Sequence, residues 1–237
     1  MQFFPNQEKL KFEPVEHVYK YEDTELISVS TLIKKYSHPF DQDGSILAKK
    51  AAENGVSIKD QKAEWEKKGK DAREKGTLFH SDIENYIHTK KIPNNINKKL
   101  VKQFSKIKFE GLLFSEVRLF NLKYNIAGTT DLIEILPDYS LSLLDYKTNA
   151  KKKMSRFSFG RKMFYPLNSI WDSVLDKFEI QISIYAYMLE EAGWWVRNLT
   201  ILHIDYENEK LVKISMRNRR QDVINMLNHY KKNCAHL

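Results

Sequence analysis

Two short segments, GTTD (residues 128–131) and LDYK (residues 144–147), are the main evidence for the fold predicted from this sequence. Asp131 belongs to one predicted strand, and a turn leads into a second strand that carries Asp145 and Lys147. Side chains alternate along a strand, so Asp145 and Lys147 project from the same face. Two carboxylates and an amine therefore meet at the end of a hairpin. Such carboxylates hold a hard cation and a nearby lysine binds an anion or activates a water, which indicates metal-assisted phosphodiester cleavage.

Composition sets the class of protein. The chain has 237 residues, 42% of them hydrophobic, which is enough for one sizeable core. A net charge of +8 suits a polyanionic partner. The single cysteine, Cys234, excludes an internal disulfide and an all-cysteine metal site. Without a membrane-spanning apolar run or a signal-peptide pattern, the sequence predicts a soluble intracellular protein and no membrane partner.

The order of the predicted elements indicates helices around a central sheet, in an α/β or α+β layered domain. Predicted strands occupy residues 15–21, 26–29, 112–120, 124–127, 131–136, 141–147, 200–206 and 210–216. Predicted helices begin near residue 31 and cover most of 45–90, then 94–107, 177–191 and 219–232. Within them, the highly charged segment Lys62–Lys75 is predicted to be a solvated helix, and residues 148–175 are the least regular part.

Three further side chains are candidates for this site. His80 and Glu84 lie one turn apart on a predicted helix, beside its apolar stripe, and face the same point. An imidazole ligand would favour manganese somewhat more than a site of oxygen ligands alone. Glu84 would orient His80, support the ligands from behind or pair with a lysine. Glu116, inside a predicted strand, would support the ligands from behind or lie on the exposed face.

A fourth element follows on the helix after the irregular region. Gln181 and Tyr185 are one helical turn apart, so the amide and the phenol project together. Such a pair can hydrogen-bond a phosphate or a base, and can also hold the lysine in place.

These elements, in this order, resemble the RecB-type exonuclease branch of the PD-(D/E)xK nuclease superfamily, which includes the RecB and AddAB nuclease domains and the mitochondrial genome maintenance exonuclease. The resemblance covers residues 76–190 and starts with GTLFH at 76–80. It implies a restriction-endonuclease-like α/β core with a central mixed β-sheet flanked by helices, preceded by a helical N-terminal part. The implied metal ligands are His80, Asp131, Asp145 and the Tyr146 carbonyl, and the implied catalytic group adds Lys147, Gln181 and Tyr185. Thr130 stands where the family has proline, which contributes backbone shape and no ligand.

The resemblance also fixes the expected cofactors and organisation. It implies Mg²⁺ or Mn²⁺; the single cysteine excludes the four-cysteine iron–sulfur cluster of some relatives. No Gly-x-x-x-x-Gly-Lys-Ser/Thr phosphate loop is present, so neither ATP nor a fused helicase motor is expected. We expect one nuclease domain over 1–237, with N-terminal hairpin and helices (1–75), core (76–190) and C-terminal hairpin and helix (194–237).

The irregular segment 148–175 combines basic and aromatic residues with no acid between residues 146 and 171. Cations neutralise phosphates and rings stack on unpaired bases, so the segment predicts contact with single-stranded DNA or frayed ends. The candidate DNA-binding residues are Lys151, Lys152, Lys153, Arg156, Arg161, Lys162, Phe157 and Phe159. The alternative is a loop whose rings pack in the core and whose charges are solvated.

The sequence therefore predicts a Mg²⁺- or Mn²⁺-dependent exonuclease acting on DNA ends in recombination, repair or replication. A structure-specific or sequence-specific endonuclease, a non-catalytic nucleic-acid-binding protein with the same fold, and RNA as substrate are the alternatives. A homo-oligomer and partner proteins of recombination or replication are compatible with the sequence.

Overall fold

A computed structural model of the chain describes residues 9–13, 18–40, 44–149, 154–158 and 160–234. These residues form an α/β fold with a mixed central sheet flanked by helices. The strands are β1 (Leu10–Glu13), β2 (Val18–Tyr21), β3 (Thr24–Ser28), β4 (Leu112–Asn121), β5 (Ile126–Ile135), β6 (Leu141–Lys147), β7 (Val196–Asp205) and β8 (Lys210–Ser215). The helices are α1 (Val29–Lys35), α2 (Ser45–Asn54), α3 (Ile58–Thr89), α4 (Lys98–Phe104), α5 (Val174–Glu191) and α6 (Arg220–Cys234).

The sheet is organised around β5. Its strand order is β1-β2-β3-β5-β6-β7-β8, and β4 also pairs with β5. The β3–β5 and β6–β7 pairs are parallel, whereas the other neighbours are antiparallel. Because β4 pairs along the full length of β5, the strands β3 and β6 must share the opposite edge of β5.

Each face of the sheet is covered by helices, and alternation along the strands assigns each side chain to one face. Leu143 joins the apolar cluster formed with α1, α5 and α6, whereas Leu144 joins the cluster formed with α3 and α4. β6 is buried on both faces, and a strand in such a position is expected to be mostly apolar. A charged residue within it is therefore unusual.

Several predicted elements are confirmed with shifted ends. The first hairpin forms between β2 and β3, and Ser28 caps α1 by accepting a hydrogen bond from the amide of Thr31. The charged segment predicted as a solvated helix lies in the N-terminal part of α3. The whole helix has 32 residues and is about 48 Å long. None of the helices formed by the described residues has the length and apolar character that crossing a membrane requires.

The prediction of two separate strands over 124–127 and 131–136 is wrong, because β5 runs unbroken through this region. Gly128 lies between the two predicted strands. In the structure it lies within the strand, where a Cβ would come within 2.7 Å of the Tyr185 ring. The glycine therefore permits a close contact between β5 and α5.

Candidate active site

The site lies at the gap between β3 and β6, which pair with different parts of the same edge of β5. Pairing with β3 ends at Ala127, and pairing with β6 begins at Leu132. Among the described strands, residues 128–131 thus have no ladder partner on that edge. The Asp131 carboxylate fills part of this gap by accepting a hydrogen bond from the backbone N–H of Tyr146. One carboxylate oxygen is fixed in this way, and the other faces the cleft residues of α3 and β4.

Three side chains from three elements meet at this point. The Nδ1 atom of His80 lies 3.2 Å from Oε1 of Glu116 and 3.4 Å from Oδ1 of Asp131. One potential ligand atom of each residue lies within 4.8 Å of the other two, so the group can hold a metal ion. We call His80, Glu116 and Asp131 the ligand triad. The ring of Tyr146 packs edge-on against His80, with centroids 5.2 Å apart, and limits the movement of the imidazole.

Glu116 has an unusual backbone conformation for a residue within a strand. Its φ is +51°, in the left-handed region that non-glycine residues seldom adopt. The register places it opposite Asp131, because the flanking pairs are Ser115–Leu132 and Val117–Thr130. Such strain is retained mainly where it serves a site. The sequence predicted a supporting or exposed position for Glu116, whereas the structure brings its carboxylate directly to His80.

The charges of the triad are compatible with a bound cation. Burial and the nearby Asp145 carboxylate raise the pKa of Asp131 to about 7, against the lowering effects of His80 and Lys147. Burial would lower the pKa of His80, but the Asp131 and Glu116 carboxylates outweigh it and raise that pKa to about 9. The cluster therefore holds protons near neutral pH as a substitute for positive charge. A hard divalent cation with oxygen and imidazole ligands fits this donor set.

Asp145 and Lys147 lie on one face of β6, as the strand period predicts. The carboxylate of Asp145 is almost fully buried and pairs with the Nζ atom of Lys147. The same ammonium lies 4.8 Å from the centre of the Phe178 ring on α5. Tyr146 faces the opposite side and packs with Phe79. Asp145 is outside the ligand triad, and its role as a ligand remains a prediction.

Gln181 and Tyr185 project together from α5, as their spacing predicts. The Gln181 amide donates a hydrogen bond to the Tyr185 hydroxyl over 3.0 Å. The phenol ring is buried against Gly128 of β5, so it anchors the amide beside the strand that carries Asp131.

A cleft of about 1150 Å³ contains the ligand triad together with Gln181 and Tyr185. Glu84 also lines the cleft but is not part of the triad. Lys147 is 16% exposed and lies outside the lining, whereas the next residue, Thr148, belongs to it. The volume is slightly above the range of about 300–1,000 Å³ typical of small-molecule sites.

Arg156 has a structural contact that the sequence did not predict. Its guanidinium pairs with the buried carboxylates of Asp176 and Glu179, and the contacts to Glu179 are 2.8 and 3.1 Å. Arg219 donates to the same Glu179 carboxylate over 2.8 Å. Arg156 thus attaches the irregular segment to α5, and its contact with a phosphate remains a prediction.

The other predicted DNA contacts have mixed surroundings. Lys151, Lys152, Lys153 and Phe159 lie outside the described residues. Lys162 places its Nζ 3.5 Å from the centre of the Trp171 ring and donates to the Ser169 carbonyl over 3.2 Å. Arg161 and Phe157 are exposed to solvent, and their contact with DNA remains a prediction.

No protein-family model and no curated protein matches this chain. Among solved structures, the crystal structure of SSO0001 matches 92% of this chain and 79% of its own, with 16% identity and a TM-score of 0.44. The crystal structure of a “putative exonuclease” from Eubacterium rectale matches 68% of this chain and 65% of its own, with 11% identity and a TM-score of 0.42.

Proposed function

We propose that this chain is a Mg²⁺- or Mn²⁺-dependent deoxyribonuclease of the RecB-type PD-(D/E)xK branch that hydrolyses phosphodiester bonds at DNA ends. One observation carries the proposal: the ligand triad lies at the opening of the β5–β6 hairpin, beside the Asp145–Lys147 pair on the adjacent strand. The proposal also rests on the order of motifs from His80 to Tyr185 in the sequence.

His80, Glu116 and Asp131 would hold the cation, and the resemblance adds Asp145 and the Tyr146 carbonyl. A bound divalent cation lowers the pKa of a coordinated water and neutralises charge on phosphoryl oxygens. The fixed hydrogen bond from the Tyr146 amide keeps the Asp131 carboxylate in one orientation.

The side chains around the triad supply positioning and further charge. The Lys147 ammonium, held between Asp145 and the Phe178 ring, would stabilise the negative charge that builds on the phosphoryl oxygens and orient the attacking water. The Gln181 amide, fixed by its bond to Tyr185, would donate a hydrogen bond to a phosphate beside the scissile bond. DNA would be attracted by the net charge of +8.

Digestion of end-labelled DNA tests this function. The substrates are linear and circular DNA, each single- and double-stranded, and the linear ones carry a label at the 5′ or 3′ end. Each substrate is incubated with Mg²⁺, Mn²⁺ or EDTA. We expect linear DNA to be shortened from an end with either cation, and EDTA to stop the reaction. Cleavage of circles as fast as linear DNA would instead identify an endonuclease. Binding without cleavage under every condition would identify a non-catalytic protein, and faster cleavage of an RNA of the same sequence would reassign the substrate.

A further inference from the structure

One wall of the cleft carries an aromatic ring that the proposed chemistry does not use. Phe12 of β1 lines the cleft, and its ring packs against Tyr19 of β2 with centroids 4.6 Å apart and planes inclined by 32°. The Tyr19 hydroxyl forms a hydrogen bond of 3.0 Å with Thr129 Oγ1 on β5. Thr129 is two residues before Asp131. The position of the Phe12 ring is therefore linked to the strand that carries a predicted metal ligand.

An arginine lines the same cleft. Arg118 follows the triad residue Glu116 by two positions on β4 and is exposed. Its guanidinium donates one hydrogen bond, over 3.2 Å, to the Leu10 carbonyl of β1, and it forms no ion pair within the described part of the chain. A guanidinium has five N–H donors, so most of this group is able to bind a phosphate. The bond to Leu10 also connects the arginine to the strand that carries Phe12.

We propose that Phe12 and Arg118 form a subsite for one nucleotide of a single DNA strand, adjacent to the scissile phosphate. The base stacks on Phe12, and the phosphate of that nucleotide binds Arg118. This inference rests on the proposed nuclease function and adds a site that would recognise an unpaired strand. A base inside a duplex is already stacked and paired, so an unpaired strand gains the contact with Phe12 at lower cost. A cation at Arg118 also offsets the repulsion between the acidic triad and the phosphate backbone.

Binding measurements separate the two contacts. Fluorescence anisotropy of a labelled oligothymidylate and of its duplex is recorded with Ca²⁺, in the Lys147→Ala background, which prevents digestion. Phe12→Leu should weaken single-strand binding about tenfold, leave duplex binding within about twofold and keep the salt dependence. Phe12→Tyr, which keeps a ring, should bind like the parent. Tyr139→Leu, at an exposed ring on the β5–β6 turn, is the matched control and should change nothing.

Salt dependence tests the arginine. Arg118→Gln should reduce the slope of log affinity against log salt by about 0.7, the value of one phosphate contact on a single strand. Arg118→Lys should retain the slope, and the remote exposed variant Arg197→Gln should not change it. Thermal unfolding checks that each variant still folds. If Phe12→Leu or Arg118→Gln is unfolded, the conservative variants Phe12→Tyr and Arg118→Lys provide the comparison.

The outcomes distinguish this subsite from the function on which it rests. Unchanged single-strand binding in Phe12→Leu, an equal loss on duplex DNA, or an unchanged salt slope in Arg118→Gln would overturn the subsite. If the wild type digests DNA while both variants bind normally, the subsite is wrong and the nuclease function stands. If the wild type neither binds nor cleaves DNA with any cation, both are wrong.

Discussion

Replacing Glu179 by glutamine should strongly destabilise the fold. Glu179 is fully buried on α5 and accepts hydrogen bonds from the side chains of Arg156 and Arg219 and from the backbone of Arg217. The substitution removes the negative charge and leaves two guanidinium groups around a neutral amide. Because Arg156 belongs to the irregular segment, the loss should first release that segment from α5.

The pKa of Glu179 gives the magnitude. Burial alone would raise this pKa, but the bonds from Arg156, Arg217 and Arg219 lower it from 4.5 to about 2. Since one pKa unit corresponds to about 1.4 kcal/mol, the ionised form contributes about 3 kcal/mol to the free energy of unfolding at pH 7. A lowered folded-state pKa stabilises above the unfolded value of 4.5, and the contribution is lost as the pH falls towards 2. At pH 3, about half of this contribution should remain.

Urea unfolding at pH 7 and pH 3 measures this difference. The gap between wild type and Glu179→Gln should be about 3 kcal/mol at pH 7 and should shrink by about half at pH 3. Glu190→Gln is the matched control on the same helix, because its ion pair with Arg220 lies near the surface and should contribute less than about 1 kcal/mol. A gap below about 1 kcal/mol at pH 7, or one that does not change with pH, would refute the account of this cluster.

Three further outcomes concern the site. Gly128→Ala should destabilise the fold by about 1–3 kcal/mol and reduce cleavage, since the new Cβ would lie 2.7 Å from the Tyr185 ring. Urea unfolding and a nuclease assay measure these two effects, and wild-type values in both would contradict the prediction. Glu116→Gln should weaken Mn²⁺ binding at least tenfold, as measured by calorimetry. Glu84→Gln changes a residue that lines the cleft outside the triad, and it should leave the affinity unchanged. Equal affinities in the two variants would show that Glu116 is not a ligand. Mn²⁺ affinity should rise with pH up to about 9, because the cation displaces the proton that His80 holds with a pKa of about 9; calorimetry that shows an affinity independent of pH would contradict this.

Periodicity was sufficient where a feature depends on neighbours in sequence. The shared face of Asp145 and Lys147 follows from the two-residue period of a strand, and the pairing of Gln181 with Tyr185 follows from one helical turn. Helices around a central sheet could be predicted for the same reason, since each element has its own apolar pattern. That the sheet is mixed was implied only by the family resemblance, because strand direction depends on pairing between distant segments.

Features that depend on distant residues could not be predicted in this way. Glu116 has a left-handed backbone and lies opposite Asp131 in the sheet, and no local pattern shows either feature. Arg156 was assigned to DNA from the composition around it, whereas its partners Asp176 and Glu179 lie 20 and 23 residues further along the chain. Arg118, in the same strand as Glu116, gave no local indication that it lines the cleft.

Cleavage by the Lys147→Ala variant tests the central claim most directly. Linear end-labelled DNA is incubated with Mg²⁺ and wild type, Lys147→Ala or the exposed control Lys210→Ala, and binding of the same DNA is measured in parallel. We predict that wild type and Lys210→Ala shorten the DNA equally, whereas Lys147→Ala binds it with nearly unchanged affinity and loses at least about 100-fold in rate, since a charge-stabilising group contributes on that scale. Cleavage by Lys147→Ala at the wild-type rate would contradict the account.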